Sequence, residues 1–277
     1  MPSAAEEQTD VLSPGLQNLW KHVRDSIQTL NSALFMVGDL KGAVRVRTVR
    51  YRFLQMNDAL AQMNVNAQGW FITGMKALLA DGAVEGTISV ANNPDRTTNT
   101  SVDLTFNDVR LEKVAVMGGF TPYTGKVKGI LKVEVRGDPE TGLSGEGSFY
   151  IYDADLAKVP AIVKIVGLLG APSLRRTKFD AAEAHFTLTP RRAVFQSIDI
   201  SASDGSVTIS AKRNGAITYD GQLDFIVEPI IEARFLTGLK LAGEFASTVL
   251  EAVEGRAARI RVEGTVTSPS VSWSPHR

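Results

Sequence analysis

The feature that most constrains this chain is a period of two in its apolar residues, which returns from Val44 to Val271. Val44 and Val46 alternate with Arg45 and Arg47, and Val49, Tyr51 and Phe53 continue after a one-residue shift. Val84, Ile88 and Val90 alternate with Glu85, Thr87 and Ser89; Val102, Leu104 and Phe106 alternate with Ser101, Asp103 and Thr105. Val127, Leu131, Val133 and Val135 alternate with lysines, Glu134 and Arg136, and Ile130 alone falls on the polar side. Successive side chains of a strand point to opposite faces, so each run predicts a strand with one apolar and one wetted side. After residue 180 the same pattern recurs in Phe186-Leu188, Ile198-Ile200, Val207-Ile209, Ile217-Tyr219 and Leu223-Phe225-Val227. Turn chemistry separates the runs: Asn92-Asn93-Pro94-Asp95, Gly137-Asp138-Pro139, Ser203-Asp204-Gly205 and Arg213-Asn214-Gly215. Strands joined by such short links must be antiparallel neighbours, which makes the second half a meander.

Three segments break the period. Ser13 and Pro14 open a stretch at helical spacing (Leu16, Leu19, Trp20, Val23, Ile27, Leu30, Leu34), predicting an amphipathic helix over 14–37. A second helix is expected near 158–169. It begins close to Pro160, which fits only a first turn, with Asp153 or Asp155 as cap. A third is expected near 230–254. Residues 1–12, polar and acidic, read as a disordered tail, and 13–277 as a single β-rich domain. The expected architecture is mainly β with added helices: a curved antiparallel sheet forming a groove, trough or partly open barrel, flanked by amphipathic helices.

Reactive constellations are missing from the sequence. There is no cysteine, hence no disulfide, thiolate metal site or thiol nucleophile. His22, His185 and His276 have no second ligand type at metal spacing, and no serine sits in a nucleophile elbow. Gly125–Gly129 and Gly142–Gly147 run into alternating strands and lack the Gly-Lys-Ser/Thr of a phosphate loop, so their glycines read as bends or close approaches. Thirty basic and thirty acidic residues balance, which removes any general drive toward nucleic acid. The reading is therefore a non-enzymatic protein with no catalytic residue, metal or cofactor, working through a surface. Two versions stay open: an apolar face buried in a closed sandwich or barrel, and an apolar face lining an open trough.

One stretch has a familiar order. Leu143-Ser-Gly145-Glu-Gly147-Ser-Phe149-Tyr-Ile151 is followed by Asp155-Leu156 and an apolar segment to Leu169. Phe179-Asp180-Ala-Ala-Glu183-Ala-His-Phe186-Thr-Leu188, Ile198-Asp-Ile200, the turn Ser203-Asp-Gly205 and Val262-Glu-Gly264-Thr-Val266-Thr-Ser-Pro269-Ser-Val271 complete it. This order resembles the C-terminal region of AsmA-like proteins, and the closing run resembles the ending of AsmA- and TamB-like chains. The resemblance implies a periplasmic or cell-envelope protein of a diderm bacterium that supports outer-membrane biogenesis by carrying phospholipid along a β groove. This sequence departs from that pattern: its first dozen residues are no signal peptide, and no run reaches the roughly 20 apolar residues of a membrane span.

On that reading, phospholipid or another acyl lipid is the partner, with a membrane surface or envelope proteins as further partners and no nucleic acid. Acyl chains would lie against Val127, Leu131, Val133, Phe149, Ile151, Ile198, Ile200, Val207, Ile209, Leu223 and Phe225. Headgroups would meet Lys126, Lys128 and Arg213 at the wet rim. The alternative is a closed structural or interaction module that docks on a larger envelope assembly.

Overall fold

A computed structural model describes residues 39–51, 54–95, 97–118, 123–169, 177–202, 204–211, 215–231 and 259–274. The expected helix over 14–37, the body of the one over 230–254, and His22, Arg213 and His276 lie outside them. The described chain is mainly β, and its strands form one large curved antiparallel sheet of 14 strands that does not close into a regular barrel.

The order along the sheet follows the order along the chain. Strands β1 (Leu40–Tyr51), β2 (Leu54–Asn66), β3 (Gly69–Leu79), β4 (Gly82–Asn92), β5 (Thr98–Arg110) and β6 (Lys126–Arg136) make the first half. Strands β7 (Leu143–Tyr152), β8 (Phe179–Leu188) and β9 (Arg192–Ala202) follow, each paired with its predecessor. Strands β10 (Val207–Ala211) and β11 (Gly215–Thr218) share one slot: both pair with β9 on one side and with β12 (Gln222–Ile231) on the other. β13 (Ile260–Thr265) and β14 (Pro269–Trp273) complete the meander. β12 runs through Ile230 and Ile231, which the sequence reading gave to a helix. Their pairing with Thr208 and Val207 holds them in the sheet.

β2 and β3 are strands that alternation did not reveal. Asp58 in β2 and Gly74 in β3 adopt positive φ (49° and 57°), and the β2–β3 and β3–β4 ladders shift register beside them. Such irregularities change which face the following residues occupy, so Ile72 and Met75 both reach the apolar side although they are three apart. Asp108 (φ 57°) does the same in β5 between Phe106 and Val109. In β1, where the apolar spacing also shifts, the pairing with β2 keeps one register from Leu40 to Tyr51.

A meander places alternate connections at opposite ends, and here the two ends differ. One end carries short turns: 67–68, 93–97, 137–142, 189–191, 219–221 and 266–268. The other carries every long connection, including 111–125 and 153–178. From the first of these rises helix α1 (Leu111–Gly118), which the sequence reading does not contain; it touches β5 and reaches back to β2. A four-residue helix α2 (Pro139–Gly142) lies at the opposite end, where the Asp138 side chain accepts a hydrogen bond from Glu140 N at 2.9 Å. The second long connection holds a 3₁₀ turn (Leu156–Lys158) and helix α3 (Pro160–Leu169), with Pro160 in the first turn as its missing N–H requires. Asp155 stands at the head of the 3₁₀ turn, but its carboxylate does not cap it; it pairs instead with Lys158 Nζ at 2.9 Å. Asp153 turns outward at φ 52° and meets Lys126 Nζ at 3.5 Å.

Candidate functional site: the apolar concave face

Residues directly opposite one another in an antiparallel ladder share a face, so the registers trace rows across the sheet. One row runs Val127, Ile151, Ala182, Ile200, Ile209, Pro229. The next runs Val84, Phe106, Gly129, Phe149, Ala184, Ile198, Ala211. A third runs Gly86, Leu104, Leu131, Gly147, Phe186, Phe195, Gly215, and a fourth Ile72, Ile88, Val102, Val133, Gly145, Leu188, Ala193, Ile217, Leu223. Phe225 continues into Val262 and Val271, and Val207 lies two residues from Ile209. All eleven residues assigned to the groove thus stand on one face, together with Ile72, Ile88, Val102, Leu104 and Phe106.

That face is two environments. From β7 onward helix α3 is packed against it. Ile162, Ile165, Val166 and Leu169 of α3 bury themselves against Phe179, Val207, Ile209, Phe225 and Ile260. Helix α3 leaves the sheet after β7 yet touches β14, where Lys164 Nζ donates to the Pro269 carbonyl. The sheet must therefore curl around the helix. Four phenyl rings run across it in contact: Phe149–Phe186 at 6.1 Å, Phe186–Phe195 at 5.5 Å and Phe195–Phe225 at 5.7 Å between centroids. They fit because small residues lie beneath them; a Cβ on Gly147 would stand 2.4 Å from Phe186 Cζ, and one on Gly215 would stand 2.1 Å from Phe225 Cδ1. Val207, Ile209 and Phe225 are at most 6% exposed, and Phe149, Ile151, Ile198, Ile200 and Leu223 pack against them. As lining of an open groove Val207, Ile209 and Phe225 are corrected, because they are buried in the core; the other five are partly buried against that same core.

In the first half the face is covered at its ends and less so between. Under α1, Val114 packs with Met75, Leu79, Val84 and Val109. At the short-turn end Val65 and Val90 are buried. Between them Ile72, Ile88, Val102, Leu104, Phe106, Val127 and Leu131 are only partly buried. Of the groove residues predicted from sequence, Val127 and Leu131 lie here, and Val133 is buried with Val135 and Leu143. Trp70, opposite Val90 on the same face, carries a buried indole Nε1 with no hydrogen-bond partner among the described residues. Trp70 and Ile72 escape sequence reasoning because β3 itself does.

The cationic rim assigned from sequence is displaced. Lys126 and Lys128 alternate with Val127 and so stand on the outer face. There Lys128 Nζ lies 5.0 Å from the Tyr150 ring centre, and Tyr150 stacks on Tyr152 at 5.8 Å. Tyr152 donates to Asp108, and that hydrogen bond pushes its phenol up to about 12. A shallow outer depression of about 290 Å³ lies here, walled by Lys128, Ile130, Tyr150 and Glu183. His185 sits nearby against Glu183 at 3.2 Å, an outward-facing pair. Among the described residues no group of three His, Asp or Glu could hold a metal ion, and no helix is long and apolar enough to cross a membrane.

The fold and face define a class: a curved antiparallel meander with one continuous apolar side, half of it filled from within. No protein-family model matches this chain, and no curated protein or solved structure is significantly similar to it.

Proposed function

We propose that the protein is a non-enzymatic binder of acyl lipid that receives hydrocarbon chains on the concave face of β3–β6 and serves the lipid economy of a cell envelope. The observation that carries this reading is the partly exposed band Ile72, Ile88, Val102, Leu104 and Leu131, a run of apolar side chains across four strands with no polar residue among them. Each methylene laid against such a surface gains about 0.8 kcal/mol, so a chain covering the band offsets the cost of leaving the bilayer. The free Trp70 N–H supplies a donor at the short-turn end for an ester or carboxylate oxygen. Phospholipid fits both features, and transport along an envelope groove is the role suggested by the AsmA-like order of the second half.

The test is lipid retention and uptake. Purified protein should carry co-extracted phospholipid by mass spectrometry and, once delipidated, bind a fluorescent fatty acid. Leu104→Glu and Leu131→Glu should weaken that binding more than tenfold while leaving the far-ultraviolet spectrum unchanged. Protein free of lipid, with no fatty-acid binding, would point to the second reading, a closed interaction module. That reading has its own support in the solid packing around α3.

A further inference from the structure

We infer that the outer face of β1–β3 is a docking surface for an anionic lipid bilayer. The inference stands on charge and exposure, separately from the acyl-binding reading of the concave face. In a chain of zero net charge, residues 40–79 contain six basic residues and a single acidic one. Lys41, Arg45 and Arg47 are exposed and have no carboxylate partner among the described residues; nor does Arg50, whose guanidinium donates to Gln55 Oε1 at 2.9 Å. Much of the rest of the outer face is paired locally: Lys76 meets Glu85 at 3.5 Å, Lys132 meets Glu146 at 3.5 Å, Arg136 meets Glu134 at 3.1 Å and Arg261 meets Glu263 at 2.8 Å. Lys128, Arg191 and Arg192 also lack a carboxylate among the described residues, so what sets β1 apart is that Lys41, Arg45, Arg47 and Arg50 gather on one strand.

Leucines stand among the cations. Leu60 lies directly opposite Arg45 on one side and Lys76 on the other, and Leu78 follows Lys76 on the same face. Both leucines are 47% exposed. Cations spread over a wide surface around exposed aliphatic side chains match an anionic interface: guanidinium groups bond to phosphate oxygens while leucines enter the acyl boundary. A partner strand added to β1 is disfavoured, because charged side chains along an edge oppose strand pairing. A nucleic-acid strand would call for a series of aromatic rings to stack on, whereas on this face Phe71, in the row of Lys41 and Asn64, stands singly among the arginines and leucines of the described residues. Docked this way, the edge of the sheet nearest the trough would lie at the bilayer.

The experiment is co-sedimentation of the full chain with vesicles of equal phosphatidylglycerol and phosphatidylcholine, compared with phosphatidylcholine alone. Binding should be confined to the anionic vesicles and fall steeply as salt is raised. Each arginine is worth about fivefold in partitioning, so Arg45→Ala with Arg47→Ala should weaken binding roughly 25-fold. Leu60→Asp should weaken it further without altering the spectrum of the fold. Fluorescent fatty-acid uptake by the double variant should equal that of the parent, which separates this surface from the concave face. Equal binding to neutral vesicles, no binding, or unaltered binding by the double variant overturns the inference. So does loss, in that variant, of binding to an acidic peptide or to DNA when vesicles are not bound at all.

Discussion

The two halves of this sheet share a backbone plan and a pattern of alternation but reach opposite ends. In β7–β14 the residues opposite one another alternate large with small: Phe186 beside Gly147, Phe225 above Gly215, Ala184 between Phe149 and Ile198. That relief allows a tight curl, and α3, apolar on nearly all sides, supplies the filling. In β3–β6 one row is nearly uniform in size (Ile72, Ile88, Val102 and Val133), although Gly86 and Gly129 also stand opposite Leu104 and Phe106. The one described helix above them, α1, covers only the end near Leu79 and Val109. Whether an apolar face becomes core or surface depends less on its hydrophobicity than on what the connections can lay across it.

The comparison can be broken most directly by truncation. Phe179→Ala, at a position 1% exposed, should cost about 3–5 kcal/mol. Leu104→Ala, on a face that is only partly covered, should cost about 1 kcal/mol, since only part of its area leaves water on folding. Denaturant midpoints for the two variants should differ accordingly, and equal losses would mean that the halves are equally packed. A smaller effect is expected where the curl depends on a missing side chain. Gly215→Ala drives a methyl into the Phe225 ring and should cost about 1–3 kcal/mol, with loss of the near-ultraviolet phenylalanine signal.

The smallest effect concerns the seam between the halves. Tyr219, in the turn after β11, packs against the cluster of Val133, Val135 and Leu143, and its hydroxyl donates to the Thr189 carbonyl at 2.7 Å. Burial pushes its phenol up to about 12, against 10.0 for an ordinary tyrosine. The folded state therefore favours the neutral phenol. Its contribution is complete below pH 10 and is lost as pH rises from 10 through 12. Tyr219→Phe should cost about 1 kcal/mol at neutral pH and flatten the fall of stability across that window. Tyr152 remains as an outer-face phenol titrating in the same range, visible as late phenolate absorbance.

Much of the fold was legible wherever a strand kept one parity over most of its length. β4, β6, β7 and β12–β14 lie where alternation placed them, as do β5, β8 and β9 on either side of their register shifts, and α3 begins at the proline that only a first turn accepts. What stayed hidden has physical causes. The bulges at Asp58 and Gly74 scramble the period of β2 and β3, whose Asn, Gln and Met content already weakens the signal. α1 is too short, at 8 residues, to show a helical stripe. The candidate site was half legible. Alternation names the residues of the apolar side, but it does not say that Ile209 lies under α3 while Leu131 lies in the open band, because that choice is made by a connection crossing the sheet. Nor does it show that Lys126 and Lys128 turn away from the groove, which follows from their odd spacing to Val127 once the face of Val127 is fixed.

The plain meander has a consequence for how the chain is made. Every ladder joins neighbours in sequence, with β10 and β11 sharing one place. Loop closure is thus cheap at each step, and pairing can advance one hairpin at a time as the polypeptide leaves the ribosome. β14 is then the fastener of the second half: it arrives after α3 has waited through six strands, β8–β13, for its partner. The first half can assemble early as an open sheet, while the second holds its helix unsealed until β14 has been made.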